Sequence, residues 1–339
     1  MKKKILYILL AIVVIGAVLA GYAYSVLNTG FSADKTVYIY IDESKDYNML
    51  LSQIKDSAKV DNLSHFETLA GLMQYKDNLK TGRYAVKPGM NIYEVIKEFR
   101  RGQQAPVKLT FNNIRTKEDF AKRIDEQLMI NSTELLGQLE GEQTCEELGF
   151  TEKTIPAMFI PNTYEFYWDI SIDNFLKRMK KEYDSFWTES RLNKSKEIGL
   201  TPVEVSILAS IVEEECMYAD EYPIVAGLYI NRLRKGQALQ ADPTVKFAVG
   251  DFSLRRILFK HLEVESPYNT YKHTGLPPGP IRIPSIKGID AVLNYAKHDY
   301  LYMCAKEDFS GYHNFAKTHA EHEQNAIRYR RALSARGIF

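Results

Sequence analysis

The sequence predicts an α+β protein with an N-terminal transmembrane helix, a small α/β module and a larger α+β domain. Three observations predict this arrangement. An uncharged apolar run fills residues 5–27, strand-like and helix-like segments alternate over residues 36–108, and amphipathic helical patterns dominate the remainder. A chain of 339 residues exceeds what one small hydrophobic core usually contains, which favours two or three folded units.

The N-terminus predicts one membrane span. Residues 5–27 carry no charge and are long enough, as a helix, to cross the hydrocarbon core of a bilayer. Lysines at positions 2–4 precede this run, so the positive-inside rule predicts a cytoplasmic N-terminus and domains on the outer, or periplasmic, side of the inner (plasma) membrane. A signal peptide cleaved near residues 20–23 is the alternative. The retained anchor is favoured because the apolar run exceeds a typical signal-peptide core.

Composition excludes several classes of function. Lys and Arg number 44 against 43 Asp and Glu, a net charge of +1, which gives no electrostatic basis for binding nucleic acid or another polyanion. Cys145, Cys216 and Cys304 are widely spaced and odd in number, so they predict neither a disulfide framework nor a zinc site. Buried free thiols are the favoured interpretation. We expect no cofactor.

The first half of the chain predicts a short polar tether and a compact module. Residues 28–35 form the tether, and residues 37–41 (VYIYI) form a strand. Apolar spacing predicts helices near residues 47–51 and 63–73. The clearest local pattern follows. It predicts a turn at Gly82, a strand over 83–86, a Pro88-Gly89 turn and an amphipathic helix over 91–101 that ends at Gly102.

A mixed segment connects this module to the C-terminal region. Residues 107–111 predict a strand, and Thr116 predicts the N-cap of a helix over 117–128. Residues 132–149 have an acidic helical pattern, whereas residues 158–170 are rich in aromatic side chains without a helical period and predict extended chain or loop. Ser171 is placed to cap a helix over residues 172–187.

The C-terminal region begins with a buried helix that ends in three consecutive acids. Thr201 and Pro202 predict its start, and Glu213, Glu214 and Glu215 lie at its C-terminal end. The helix dipole, their mutual repulsion and desolvation all raise a carboxyl pKa there, as a general acid requires near neutral pH. The alternative is a solvated helix end whose acids pair with basic residues of the next predicted helix, over residues 223–235: Arg232, Arg234 or Lys235.

Five motifs follow one another in the C-terminal region. They are LASIVEEE (208–215), INRL (230–233), LQADPTV (239–245), YNTY (268–271) with GLPPGPI (275–281), and HNFAKTHAEH (313–322). In this order the region closely resembles the catalytic domain of the endolytic murein transglycosylases, the MltG or YceG-like family. FIPNTYEF (159–166) and the N-terminal span are similar to the family as well, although FNNIRT (111–116) lacks a Glu-Gly pair frequent there and Asn162 replaces an Asp. Residues 79–102 resemble, more faintly, its LysM-like module.

The resemblance implies a division of the chain and an activity. The implied segments are a cytoplasmic tail (1–4), a transmembrane helix (5–27), a linker (28–35), a LysM-like domain (36–108), a connecting part of the catalytic region (109–199) and a catalytic core (200–339). The implied enzyme is a membrane-anchored peptidoglycan lytic transglycosylase that cleaves the MurNAc-β-1,4-GlcNAc bond within nascent glycan strands and leaves 1,6-anhydro-MurNAc ends. Glycan strands and the membrane are its implied partners, with wall-synthesis proteins added by family analogy.

The family's catalytic glutamate falls on Glu213, which would act as general acid and then as base. Glu215 matches the second motif acid and is assigned a supporting role, because two residues along a helix differ by about 200° around its axis and cannot both face one cleft. Further supporting or substrate-binding candidates come from the remaining motifs: Gln240, Asp242, Asn269, Tyr271, Asn314, Thr318 and Glu321.

Three other interpretations remain open at this stage. A muramidase-type hydrolase would pair Glu213 with a second carboxylate, for which Asp242, Glu165 and Glu321 are the nearest candidates. A non-catalytic glycan-binding scaffold would need no acid. A metal site at His313, His319 and His322 is disfavoured, because their spacing matches no known ligand pattern.

Overall fold

The computed structural model describes residues 2–254 and 256–337, which form two compact units of mixed helix and sheet. Unit 1 comprises the chain up to Leu109 together with Gln127–Ile130 and Tyr164–Ile170. Unit 2 comprises Thr110–Glu126, Asn131–Thr163 and the chain from Ser171 onwards. The chain therefore passes between the units several times.

Unit 1 contains the apolar N-terminal helix and a small two-stranded sheet covered by helices. Its elements are α1 (Lys2–Leu27), β1 (Val37–Ile41), α2 (Tyr47–Ser52), a π-helical turn (Gln53–Ser57), α3 (Leu63–Leu72), β2 (Gly82–Val86) and α4 (Ile92–Arg101). β1 and β2 are antiparallel, with Val37 opposite Val86. Ile39, Tyr84, Ile96 and Phe99 are fully buried in the core of this unit.

The predicted N-terminal helix is present. Lys3–Leu27 has a mean hydropathy of 2.7 over its most apolar window and is long and apolar enough to cross a membrane. The predicted α4 is also present, with a reciprocal capping box between Asn91 and Glu94 and a left-handed Gly102 at its end.

The residues that follow α1 are hydrogen-bonded to the rest of unit 1 and do not form a flexible linker. Thr29 accepts a hydrogen bond from the Ile92 backbone N–H at 2.9 Å, and Gly30 accepts one from the Asp61 N–H at 3.1 Å. The Thr29 hydroxyl also lies 2.7 Å from His65 Nδ1. Composition suggested a linker because the segment is short and polar, yet these polar groups bond to the module and so fix the helix end against it.

Two further strands and the helices of unit 2 complete the fold. The strands β3 (Val107–Thr110) and β4 (Thr163–Phe166) pair with each other. The helices are α5 (Lys117–Asp125), α6 (Ser132–Glu140), α7 (Glu142–Glu147), a 3₁₀ turn (Ile155–Met158), α8 (Ile172–Phe186), α9 (Glu189–Ile198), α10 (Pro202–Glu215), α11 (Tyr222–Arg234), α12 (Asp242–Val249), α13 (Phe259–Leu262), α14 (Ile286–Leu293) and α15 (His319–Ala335). The antiparallel hairpin β5 (Tyr302–Ala305) and β6 (His313–Ala316) precedes α15.

Several predicted boundaries differ from the structure. The acidic segment 132–149 forms two helices, α6 and α7, because Gly141 interrupts it in an extended conformation. The segment 158–170, expected to be extended chain or loop, contains the strand β4. Asp242 begins α12 with Pro243 in the first turn, a position where proline is well tolerated.

The helix α10 lies at the centre of unit 2. A capping box between Thr201 and Glu204 begins it, as predicted from Thr201 and Pro202, and every residue from Val205 to Glu213 is buried. It packs against α9, α11, α12 and α14. This buried helix therefore positions its terminal acids against several elements at once.

Candidate active site

A cavity of about 250 Å³ opens beside the C-terminal end of α10. Polar and apolar side chains from α10, α11, α12 and the β5–β6 hairpin surround it. The lining residues are Glu215, Leu228, Tyr229, Arg232, Leu239, Gln240, Asp242, Tyr271, Met303, Cys304, Ala305 and His313. Pockets for complete small ligands usually exceed 300 Å³, so this cavity is smaller than most of them.

Glu215 is the acid of α10 that lines this cavity. The Tyr229 hydroxyl donates a hydrogen bond to its Oε1 at 2.8 Å. The pKa of the Glu215 carboxyl is raised to about 7, chiefly by burial; the Tyr229 bond and the Arg232 charge oppose this rise, and the Asp242 charge adds to it. Near neutral pH the protonated and ionised forms of Glu215 are therefore both populated.

Glu213 has a different environment. Its Oε1 accepts a hydrogen bond from the Ser285 backbone N–H at 2.9 Å and another from the Ser285 hydroxyl, at the N-cap of α14. Its Oε2 lies 3.5 Å from Arg282 Nε. A carboxylate at a helix N-terminus beside a guanidinium is electrostatically stabilised, so Glu213 holds α10 and α14 together.

The close approach of Glu213 to α14 depends on Gly288. A Cβ atom built at Gly288 would lie 2.3 Å from Glu213 Oε1, which no side chain allows. α10 and α14 also pack against each other along their lengths. The carboxylate of Glu213 is consequently committed to this packing contact and does not line the cavity.

Glu214 takes part in a third environment. Its two oxygens each lie 2.8 Å from a guanidinium nitrogen, one of Arg115 and one of Arg282. Arg282 also donates to Asn113 Oδ1 at 2.5 Å. The suggestion that the acids pair with Arg232, Arg234 or Lys235 is replaced by these partners, which come from segments distant in sequence.

Asp242, Tyr271 and Gln240, which were predicted as supporting or substrate-binding residues, line the cavity together with Glu215. The Tyr271 hydroxyl donates to Asp242 Oδ1 at 2.6 Å. Gln240 has a φ of 51°, a left-handed conformation that costs a non-glycine residue on the order of 1 kcal/mol. Its backbone N–H donates to the Thr270 carbonyl at 3.0 Å, which helps to hold that conformation.

Arg232 is a cavity residue that the sequence analysis did not assign, although the INRL motif contains it. Its guanidinium is buried and donates to the carbonyls of Leu301 at 2.6 Å and Leu239 at 2.7 Å. These bonds connect α11 to the segment before α12 and to the segment before β5. Arg232 thus shapes the cavity wall and supplies positive charge near Glu215.

The other predicted site residues have structural contacts. Asn269 is fully buried, and its side-chain amide donates to the carbonyls of Leu262 and Val264 at 2.9 Å each. Asn314 donates to Glu307 at 2.7 Å. Thr318 and Glu321 form the capping box of α15. None of these four residues lines the cavity.

His313 lines the cavity and is held by Glu221. Throughout residues 2–254 and 256–337, no group of three His, Cys, Asp or Glu side chains could hold a metal ion. The cysteines are free: Cys145 and Cys216 are buried, and Cys304 is partly exposed on the cavity wall.

Comparisons with known proteins point to one family. The model of the YceG-like family matches residues 39–328. A Bacillus subtilis (strain 168) protein named endolytic murein transglycosylase is 29% identical over 312 residues, covering 87% of this chain and 85% of that protein. A Streptococcus pneumoniae (strain D39) protein of the same name is 25% identical, and the alignment covers 91% of this chain and 62% of that protein.

A solved structure is similar as well. The crystal structure of a yceG-like protein from Listeria monocytogenes matches with a TM-score of 0.56 and 27% sequence identity. The match covers 86% of this chain and 99% of the Listeria chain. The similarity therefore extends over both units and is not confined to the cavity.

Proposed function

Because the chain belongs to the YceG-like family, we propose that it is an endolytic peptidoglycan lytic transglycosylase with Glu215 as its general acid. The observation that carries the proposal is the position of Glu215: a carboxyl with a pKa raised to about 7, in a cavity lined by the LQADPTV and HNF motifs. The names of the Bacillus and Streptococcus relatives support the same activity.

The proposed reaction cleaves the MurNAc-β-1,4-GlcNAc bond without water. Protonated Glu215 donates its proton to the glycosidic oxygen, and the muramyl C6 hydroxyl attacks its own anomeric carbon to form the 1,6-anhydro end. The carboxylate left behind can accept the C6 hydroxyl proton, so no second carboxylate is required. A carboxyl with a pKa near the working pH suits both steps.

This proposal exchanges the roles predicted for Glu213 and Glu215. Both Glu213 oxygens are occupied at the α10–α14 contact, by Ser285 and by Arg282. Glu213 does not line the cavity in which Glu215 lies. We therefore propose that Glu213 positions the end of α10 and that Glu215 carries out the chemistry.

One observation favours a second candidate function, a muramidase-type hydrolase. Asp242 is a second carboxylate in the same cavity, and its Oδ1 accepts a bond from Tyr271. A hydrolase uses two carboxylates on either side of the scissile bond. The two reactions differ in their products, because hydrolysis leaves a reducing end and transglycosylation an anhydro end.

The proposed location is the plasma membrane, with α1 as a single span, the N-terminus in the cytoplasm and both units on the outer, or periplasmic, side. The hydropathy of α1 and the lysines at positions 2–4 support this topology. Residues 36–108 are proposed as a LysM-like module for glycan strands, and wall-synthesis proteins as further partners by family analogy.

The test compares Glu215→Gln with Glu213→Gln in the full chain, solubilised in detergent. Each protein is incubated with uncrosslinked glycan strands, and the product ends are read by mass spectrometry. We expect anhydro ends from the wild type, a loss of at least about 100-fold in Glu215→Gln, and retained cleavage by folded Glu213→Gln. The matched pair removes one ionisable carboxyl from the same helix end in each case.

Other outcomes lead to defined conclusions. Loss of cleavage in Glu213→Gln with retention in Glu215→Gln would return catalysis to Glu213. Reducing ends would favour the hydrolase, and Asp242→Asn would then be inactive. Cleavage by neither the wild type nor the variants would favour a glycan-binding scaffold.

A further inference from the structure

His313 and Glu221 form a buried pair at the wall of the cavity. The His313 backbone N–H donates to Glu221 Oε1, and His313 Nδ1 lies on Glu221 Oε2, both at 2.9 Å. Glu221 is 5% exposed, and within the described part of the chain its side chain bonds to His313 alone. Burying a carboxylate lowers the stability of the folded state unless the carboxylate has a partner. His313 is that partner for Glu221.

The Glu221 side chain makes no hydrogen bond within its own helix. Glu221 is the N-cap residue of α11, yet its side chain makes no capping bond. Its two oxygens are used by one residue that lies 92 positions away in sequence. A carboxylate that orients an imidazole from a distant part of the chain is a recurring arrangement in sites where histidine transfers protons.

The pair determines which nitrogen of His313 is available. An ionised carboxylate only accepts hydrogen bonds, so Nδ1 carries the proton that it donates to Glu221. Nε2 is then a proton acceptor in the neutral ring, and it has no hydrogen-bond partner among residues 2–254 and 256–337. His313 lines the cavity that Glu215 also lines.

We propose that His313 Nε2, oriented by Glu221, is the base that removes the proton from the muramyl C6 hydroxyl as the anhydro ring closes. This inference rests on the proposed transglycosylase function and deepens it by assigning the second proton transfer to His313 in place of the Glu215 carboxylate. Glu215 delivers a proton to the leaving oxygen, and His313 receives one from the attacking hydroxyl. His313 is thereby assigned as a catalytic residue and Glu221 as a positioning residue.

The proton balance of this scheme closes without a further reactant. The glycosidic C1–O4 bond breaks as the proton of Glu215 moves to O4. The new O6–C1 bond forms as the proton of the C6 hydroxyl moves to Nε2, which leaves an imidazolium beside the Glu221 carboxylate. Return of that proton to Glu215 through solvent restores the starting state. The opposite charge of Glu221 stabilises the imidazolium in the step that forms it.

The test uses the full chain in detergent with uncrosslinked glycan strands and measures the rate of anhydro-end formation. His313→Ala is expected to lose about 100-fold or more, since a positioned base contributes about 10²–10⁴-fold. Added imidazole should restore part of the rate. Pyrazole, a ring of the same shape and much weaker basicity, should restore none of it, which separates proton transfer from simple filling of the space.

Two further variants keep the test decisive if His313→Ala folds poorly. His313→Gln preserves a polar side chain without a base and is expected to stay inactive. Glu221→Gln preserves the size of the buried partner but favours the wrong tautomer, and is expected to lose at least about 10-fold. Asp220→Asn is the matched control, because Asp220 is an exposed neighbouring acid bonded to the Tyr312 hydroxyl at 3.1 Å, and its rate should not change.

Two results would overturn the inference, and they are distinguishable. If the wild type forms anhydro ends and folded His313→Gln does so at a similar rate, or if pyrazole rescues as well as imidazole, His313 is not the base and the proposed function stands. If the wild type forms reducing ends, no C6 hydroxyl closes on the anomeric carbon, and both the proposed function and this inference fail.

Discussion

The Glu215 carboxyl makes the native state sensitive to pH. Its pKa is raised from 4.5 to about 7, so between these values the folded protein binds more protons than the unfolded chain. The free energy of unfolding therefore decreases as pH rises from about 4.5 to about 7 and is then constant with respect to this group. Ionisation of Glu215 therefore lowers the free energy of unfolding at pH 8 and lowers it much less at pH 5.

Glu215→Gln should remove this cost while its amide oxygen still accepts the Tyr229 bond. We expect the variant to be more stable than the wild type. The difference in their free energies of unfolding should be about 2 kcal/mol larger at pH 8 than at pH 5. Urea unfolding at the two pH values measures the difference. Equal effects at both values would mean that the pKa of Glu215 is not raised.

The same group should set the pH dependence of cleavage. The groups that act on the Glu215 carboxyl are Tyr229, Asp242 and Arg232, and the Asp242 charge raises its pKa. The acid must be protonated, so kcat/KM should fall as pH rises through about 7. Asp242→Asn should move this alkaline limb to lower pH, because the repelling charge is gone. An unmoved limb would show that another group titrates there.

Gly288 offers a test of the Glu213 contact. A Cβ at position 288 would lie within 2.9 Å of three atoms of the Glu213 side chain, so Gly288→Ala should lower the free energy of unfolding by about 2 kcal/mol. Gly137→Ala in α6 is the control, since its Cβ would meet no atom within 4 Å and should be neutral or slightly stabilising. Thermal unfolding compares them; equal stability of the two variants would refute the tight contact.

The sequence predicted which acids lie at the end of α10 but not which of them faces the cavity. The helical period shows that Glu213 and Glu215 face different sides of α10, since they differ by about 200° around its axis. Which side meets the cavity depends on Ser285 and Gly288, more than 70 residues away. The His313–Glu221 pair likewise joins two motifs that no local pattern connects.

At the scale of elements, local signals predicted the helices α4, α5, α8 and α10, whereas α9 and α12 to α15 were not predicted. Residues Asn91, Thr116, Ser171 and Thr201 cap α4, α5, α8 and α10, where their side chains accept backbone N–H bonds. The β5–β6 hairpin was not predicted, because YMCA and HNFA are short and lack a clear apolar alternation. Its register depends on pairing across the intervening residues 306–312.

The capping box of α15 gives Thr318 and Glu321 a structural role. Thr318→Ala should lower the free energy of unfolding by about 1 kcal/mol and leave the cleavage rate of the folded protein unchanged. Thr133→Ala, at an exposed position in the first turn of α6, is the control and should change the stability by less than about 0.5 kcal/mol. A slower cleavage rate at unchanged stability would instead support the site role predicted for Thr318.

At the scale of the whole molecule, the region predicted as the catalytic core, residues 200–339, is one part of unit 2. The Ile283 N–H donates to the Ile114 carbonyl at 2.8 Å, and Arg115 bonds Glu214. A Cβ at Gly279 would lie 1.9 Å from the Lys153 carbonyl oxygen, so these backbones are in direct contact. The buried helix α10 also packs on α9 and on the 3₁₀ turn at Ile155–Met158.

These contacts predict the behaviour of two fragments. Residues 200–339 alone would expose the α10 surface that packs on α9 and would leave Glu214 without Arg115, so we expect no cooperative unfolding transition. Residues 107–339 keep every segment of unit 2 and both strands of the β3–β4 sheet, and should unfold cooperatively. Near-ultraviolet circular dichroism with thermal unfolding tests both. A cooperative transition in 200–339 would show that this segment folds independently, because burial of α10 would then not require residues 110–199.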